Sequence, residues 1–198
     1  MEPSLKLDLK TYVVQQWRRD AQRVRQHVDA LVGDLTAAEL NWQAGPGLHS
    51  MWHHVWHMFL VLDHYFAGAF GTRPVWEEGN WRSRIHLGSM TKAFTQAGLA
   101  NEFVPRFSIC DVPDSLVDDL KAPPLEQYLA YADDMLAKSS LVLERASEEE
   151  LARVITARGK LVTAVECATD FCHPYRHIGM MEDLRGLIRG PGKGSATR

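Results

Sequence analysis

Cysteine is scarce: three residues in 198, at Cys110, Cys167 and Cys172. An odd number without paired spacing builds no disulfide framework, and reduced thiols point to a cytoplasmic protein. A long hydrophobic run is also missing. The most apolar stretch, 58–70, is interrupted by Asp63 and His64 and is too short and too polar to span a bilayer. The amino terminus, MEPSLKLDLK, has charges where a signal peptide needs an apolar run, so secretion is unsupported. There is no basic excess: 22 Lys and Arg stand against 25 Asp and Glu, for a net charge of −3. The densest basic group, Arg18, Arg19, Arg23 and Arg25, is diluted by Asp20 and Asp29, which leaves no footprint for nucleic acid. Strand-like sequence is confined to a scrap at 154–161, broken by Gly159.

What is there is helical. Residues 9–32 contain no Gly or Pro, and Val13, Val14, Trp17, Val24, Val28 and Leu31 recur at three- and four-residue steps. Gly33 is the stop. Thr36 to Glu39 fits a capping box, in which the two side chains satisfy each other's free backbone N–H groups. A second long helix is predicted over 50–70, with Ser50 as N-cap and Gly71 and Pro74 ending it. Residues 72–123 are irregular and rich in Gly and Pro, with a short helix expected near 91–96. A segment of this kind is expected to cover a binding pocket, with Tyr128 and Tyr131 facing it. A third long helix fits 125–146, and Ser147 to Glu150 forms a second capping box. The last helix is predicted over 163–188. The domain is thus expected over 1–189, followed by a flexible tail over 190–198. Four long helices with negligible strand make an all-α, four-helix bundle, with an irregular segment between the second and third long helices.

Nine histidines and six tryptophans are the unusual components. His49, His53, His54, His57 and His64 lie within sixteen residues of one another, and His173 and His177 form a second group. With His57 at zero on a helical wheel, His53 falls about 40° away and His64 about 20° away. His173 and His177, one turn apart, share a face, a spacing that lets two imidazoles converge on one ion. One histidine of the second helix would complete a three-histidine site with positions left for solvent. Glu166 and Asp170 fall on nearly the same stripe and are candidates to accept the outer ring N–H of a ligand. Pro174 inside the last helix predicts a kink beside His173. His53, His54 and His64 read as packing or surface histidines, Trp42, Trp52, Trp56, Trp76 and Trp81 as core and cavity wall, and Cys167 and Cys172 as buried small hydrophobes.

These residues carry a family resemblance. Leu35-Thr-Ala-Ala-Glu-Leu-Asn-Trp42, Pro46-Gly47, Ser50-Met51, and Trp56-His57-Met58 with Asp63 behind them resemble the DinB-like (YfiT-like) superfamily. The block His173-Pro-Tyr-Arg-His177-Ile-Gly179, followed by Leu184-Arg185-Gly186, resembles its closing helix. The tail Gly194-Ser-Ala-Thr-Arg198 resembles the ends of actinobacterial-type members. The resemblance implies a four-helix bundle with a divalent metal ion on His57, His173 and His177. Pro174 departs from the family pattern and bears on the aim of His173.

Characterised relatives include transferases and isomerases that use mycothiol, bacillithiol or glutathione. The function this implies is a thiol-dependent S-transferase or isomerase. Its ion, Zn²⁺ first and Ni, Fe, Co or Mn as alternatives, would activate a low-molecular-weight thiol against a small electrophile. A metal-dependent hydrolase activating water is the runner-up, and a non-catalytic metal- or ligand-binding stress-associated protein is the reading from another class. Arg176, Arg185, Arg82 and Arg84 are candidates to hold an anionic group. A homodimer is compatible with such a bundle but has no signature in the sequence.

Overall fold

The computed structural model describes residues 8–85, 123–157 and 159–190. Helix α1 runs Leu9–Val32, opened by Asp8, whose carboxylate accepts from the N–H groups of Lys10 and Thr11. The short α2 is Ala37–Leu40, with the Thr36–Glu39 capping box in place. Helix α3 is Met51–Phe70: Ser50 caps its start, and Gly71, at φ +65°, ends it in a left-handed conformation that favours glycine. Two further turns follow, α4 (Val75–Glu78) and α5 (Trp81–Arg84). Helix α6 is Leu125–Arg145, and α7 is Glu148–Ala152 behind the Ser147–Glu150 capping box.

The long helices α1, α3 and α6, with the final helix α9 (Cys172–Arg189), form the bundle. Both α1 and α3 pack against α6 and α9. Trp17 of α1 reaches between Phe66 of α3, 5.2 Å away, and Phe171, 4.9 Å away. Trp52 and Trp56, one turn apart on α3, stack at 5.6 Å. Both are buried, as are Trp17, Trp76 and Trp81. Trp42 differs from the expectation: it is 39% exposed, on the polar loop after α2, where no long helix covers it.

The C-terminal third departs further from the expected single helix. The scrap at 154–161 is a hairpin: β1 (Val154–Ala157) pairs antiparallel with β2 (Lys160–Thr163), and Gly159 takes φ +72° in the turn. A third capping box, Thr163 with Glu166, starts the short α8 (Ala164–Ala168). The chain then breaks at Thr169–Phe171, and α9 starts afresh at Cys172. Pro174 therefore sits in the first turn of α9, where its missing N–H has no helical partner to lose. The expected kink does not arise. Cys172 is exposed and Cys167 half-buried, because neither lies on the core face of a continuous helix. The expected helix near 91–96 and the tail beyond Gly190 fall outside the described residues.

One buried carboxylate ties three elements together. Asp63, on α3, accepts hydrogen bonds from the backbone N–H groups of Val75 at 2.9 Å and Trp76 at 2.8 Å. It also accepts from the Tyr131 hydroxyl of α6 at 2.8 Å. Pro74 supplies no side-chain cap to α4, so a carboxylate from another helix does so. Burial pushes the Asp63 pKa up, against the three hydrogen bonds that favour its charged form. Trp76 stands edge-on to Tyr131 at 5.0 Å, so the described start of the irregular segment faces Tyr131, whereas Tyr128 packs on Trp52 of α3. Asp63→Ala leaves two amides and a hydroxyl without this acceptor inside the core. It should lower stability by about 2–4 kcal/mol, with Asp63→Asn losing less. Urea unfolding of the three proteins measures the difference.

Candidate metal centre

The antiparallel packing of α3 on α9 brings His57 against His173 and His177. Ring centroids are 5.0 Å apart for His57–His173, 4.7 Å for His57–His177 and 4.6 Å for His173–His177. One nitrogen from each ring lies within 4.8 Å of the others. His57 is buried on α3, and the other two are half-buried on the first turns of α9. Among the described residues, no further His, Cys, Asp or Glu joins this group. His64 shares the angular stripe of His57, but seven residues carry it about 10 Å along the helix axis.

The group suits a divalent ion. Three donors on a tetrahedral ion at about 2.05 Å stand about 3.3 Å apart, so the trio would draw in from its present spacing to hold one. The surroundings of His177 keep its imidazole neutral, the form that ligates. Burial, with the neighbouring rings adding to it, lowers the His177 pKa to about 3. Burial lowers that of His54 to about 4.

Two features flank the trio. Toward the start of α3 lies a layer of imidazoles. His54 Nδ1 is 2.9 Å from His177 Nδ1. His53 lies near-parallel to His57 at 6.4 Å, and His49 stacks on His53 at 3.8 Å. On the other side is a cavity of about 250 Å³ between α3, the hairpin and α8. Its wall includes Val61, Leu62, Lys160, Asp170, His173 and Pro174. The hairpin is thus one described wall of the pocket beside His173. Any cover from residues 86–122 lies outside the described residues.

The other candidate residues have these places. Glu166 is exposed, and its carboxylate accepts from the Thr163 backbone N–H at 2.7 Å in the capping box. Asp170 accepts from the Cys172 N–H at 3.1 Å, next to His173 on the cavity wall. Arg185 faces α1 instead of a pocket: it donates to both carboxylate oxygens of Asp34, at 2.7 and 3.0 Å, and to Leu31 O at 2.7 Å. Arg176 is exposed on α9. The Arg84 guanidinium lies 3.6 Å from the centre of the Trp81 ring. The side chain of Arg82 is outside the described set. His54, read from the sequence as a packing or surface histidine, contacts His177 of the trio directly. Its signal was present, since a residue three before His57 lies on an adjoining face of α3.

The comparisons agree with this architecture. The DinB superfamily pattern matches residues 20–181. The chain belongs to the DinB superfamily. A crystal structure of a conserved protein from Enterococcus faecalis superposes with a TM-score of 0.67 at 18% identity, covering 92% of this chain and 98% of that one. At that identity the likeness speaks for the fold alone. No curated protein matches the chain.

Burial around the trio has a consequence for acid stability. Burial lowers the His53 pKa to about 2, with the neighbouring histidines adding to it. Its Nδ1 has no hydrogen-bond partner among the described residues. In the unfolded chain it titrates near 6.5, so as pH falls below that value the unfolded state takes up a proton that the fold refuses. Its contribution to stability is therefore fully present above about pH 6.5 and is lost as pH falls toward the folded value. Unfolding midpoints of metal-free protein should drop from pH 7.5 to 4.5, and His53→Phe should flatten that slope.

Proposed function

We propose that this DinB-superfamily chain is a divalent-metal-dependent enzyme, and that His57, His173 and His177 hold its ion. The observation that carries the reading is three imidazoles converging from two helices, without a fourth protein ligand among the described residues, beside a cavity that reaches His173. A structural site would be closed by a fourth ligand, whereas a catalytic one keeps a position for substrate. Zn²⁺ is the first expectation for three nitrogen donors, with Ni, Fe, Co and Mn as alternatives.

The reaction we assign is thiol-dependent S-transfer or isomerisation, with mycothiol, bacillithiol or glutathione as the class of thiol. A bound ion would supply Lewis acidity that favours thiolate, or hydroxide in the hydrolase alternative, near neutral pH. The chain's own residues do the rest. Val61, Leu62 and Pro174 give the cavity apolar walls that hold a small electrophile and limit water. Lys160 at its wall and Arg176 on the exposed face of α9 are candidate cations for an acidic thiol. Asp170, on the same wall as His173, is the candidate to orient that ring.

Protein purified without chelators or affinity-metal columns should carry close to one divalent ion per chain by elemental mass spectrometry. His57→Ala and His177→Ala should each lose it while remaining folded. Loaded wild type should then consume a thiol with an electrophile, and both variants should not. Wild type that holds no ion after incubation with Zn²⁺, Ni²⁺ or Fe²⁺ refutes the reading.

A further inference from the structure

Each member of the trio must present a nitrogen lone pair, and for a neutral imidazole this is a question of tautomer. The proton sits on one ring nitrogen, and the other ligates. What fixes the choice is the partner of the protonated nitrogen, usually a carboxylate or a backbone carbonyl. His177 has a different partner. Its Nδ1 lies 2.9 Å from Nδ1 of His54, across the α3–α9 contact. The two rings are 5.2 Å apart at 44°. Only one proton fits between two ring nitrogens at that distance, so one ring donates and the other accepts.

We propose that His54 is a positioning residue for the metal centre: its Nδ1 accepts from Nδ1–H of His177, which leaves the Nε2 lone pair of His177 for the ion. The inference rests on the metal reading above. The opposite arrangement, with His54 donating, would put the His177 proton on Nε2 and block ligation there. The contact also fixes aim. His54 is 6% exposed and held within α3, one turn from His57, so the same rigid helix supplies one ligand and orients another. A neutral acceptor has a further effect. It adds no negative charge beside the site, so a bound ion keeps its full charge for polarising a substrate, unlike a site braced by a carboxylate.

The geometry chooses the test. Asn Oδ1 stands the same number of bonds from Cβ as His Nδ1 and accepts a hydrogen bond. Leu has similar reach and accepts nothing. Imidazole ¹⁵N–¹H correlation spectra of metal-free protein should show His177 protonated on Nδ1 in wild type and His54→Asn. In His54→Leu the proton should move to Nε2. Competition titration with Zn²⁺ should give ten- to hundredfold weaker binding for His54→Leu, and binding close to wild type for His54→Asn. His177 protonated on Nε2 in the wild type overturns the proposal without any variant. So does equal Zn²⁺ affinity in folded His54→Leu and wild type, which leaves the metal centre standing. Wild type that binds no Zn²⁺ or Ni²⁺ fails the metal reading itself and removes the role of His54 with it.

Discussion

A helix buried on nearly every face takes the polar groups it carries out of water, and each must find a partner inside the protein or stand there at a cost. Helix α3 is such a helix, and it brings His53, His54, His57 and Asp63 into the core. Water cannot solvate them there; neighbouring elements answer for Asp63, His54 and His57, while His53 Nδ1 has no partner among the described residues. Toward its C-terminal half the answer is given to Asp63 by the start of α4 and by Tyr131. Toward its N-terminal half the answer comes from α9, whose two histidines meet His57 and His54. The position of α9 against α3 and the chemistry available at that contact are therefore one constraint. Tyr128 adds to it by donating from α6 to the carbonyl of Trp56 at 2.7 Å, next to His57.

Most of the fold was legible because its signals are local. Gly33 and Gly71 end their helices, and Thr36–Glu39 and Ser147–Glu150 begin theirs, as spacing alone requires. The last helix misled for a related reason. Apolar periodicity runs from Val165 through Ile178, and the break at Thr169–Phe171 holds no Gly or Pro. One local clue pointed the other way. A proline is tolerated in the first turn of a helix, which allows a new helix start just before Pro174.

The site divides in the same way. The convergence of His173 and His177 follows from their spacing, and the choice of His57 among the α3 histidines came from the family resemblance. The His54–His177 contact and the Asp34 partner of Arg185 depend on which helices meet, at separations above one hundred residues. No local pattern records that. The strand-like stretch at 154–161 was legible, but its place as a wall of the cavity was not, because that depends on which elements meet in space.

The break before α9 has a structural corollary. Pro174 stops the helix from growing backward, because its ring would crowd the Asp170 carbonyl in a continuous helix. The histidine-bearing helix thus has a fixed origin, and the hairpin with α8 is joined to it by three non-helical residues, Thr169–Phe171. Insertions or replacements in the hairpin can reshape the cavity without shifting the helical register of His173 and His177. Within this architecture, the part that shapes what approaches the imidazoles is free to diverge, while the part that holds them stays in place.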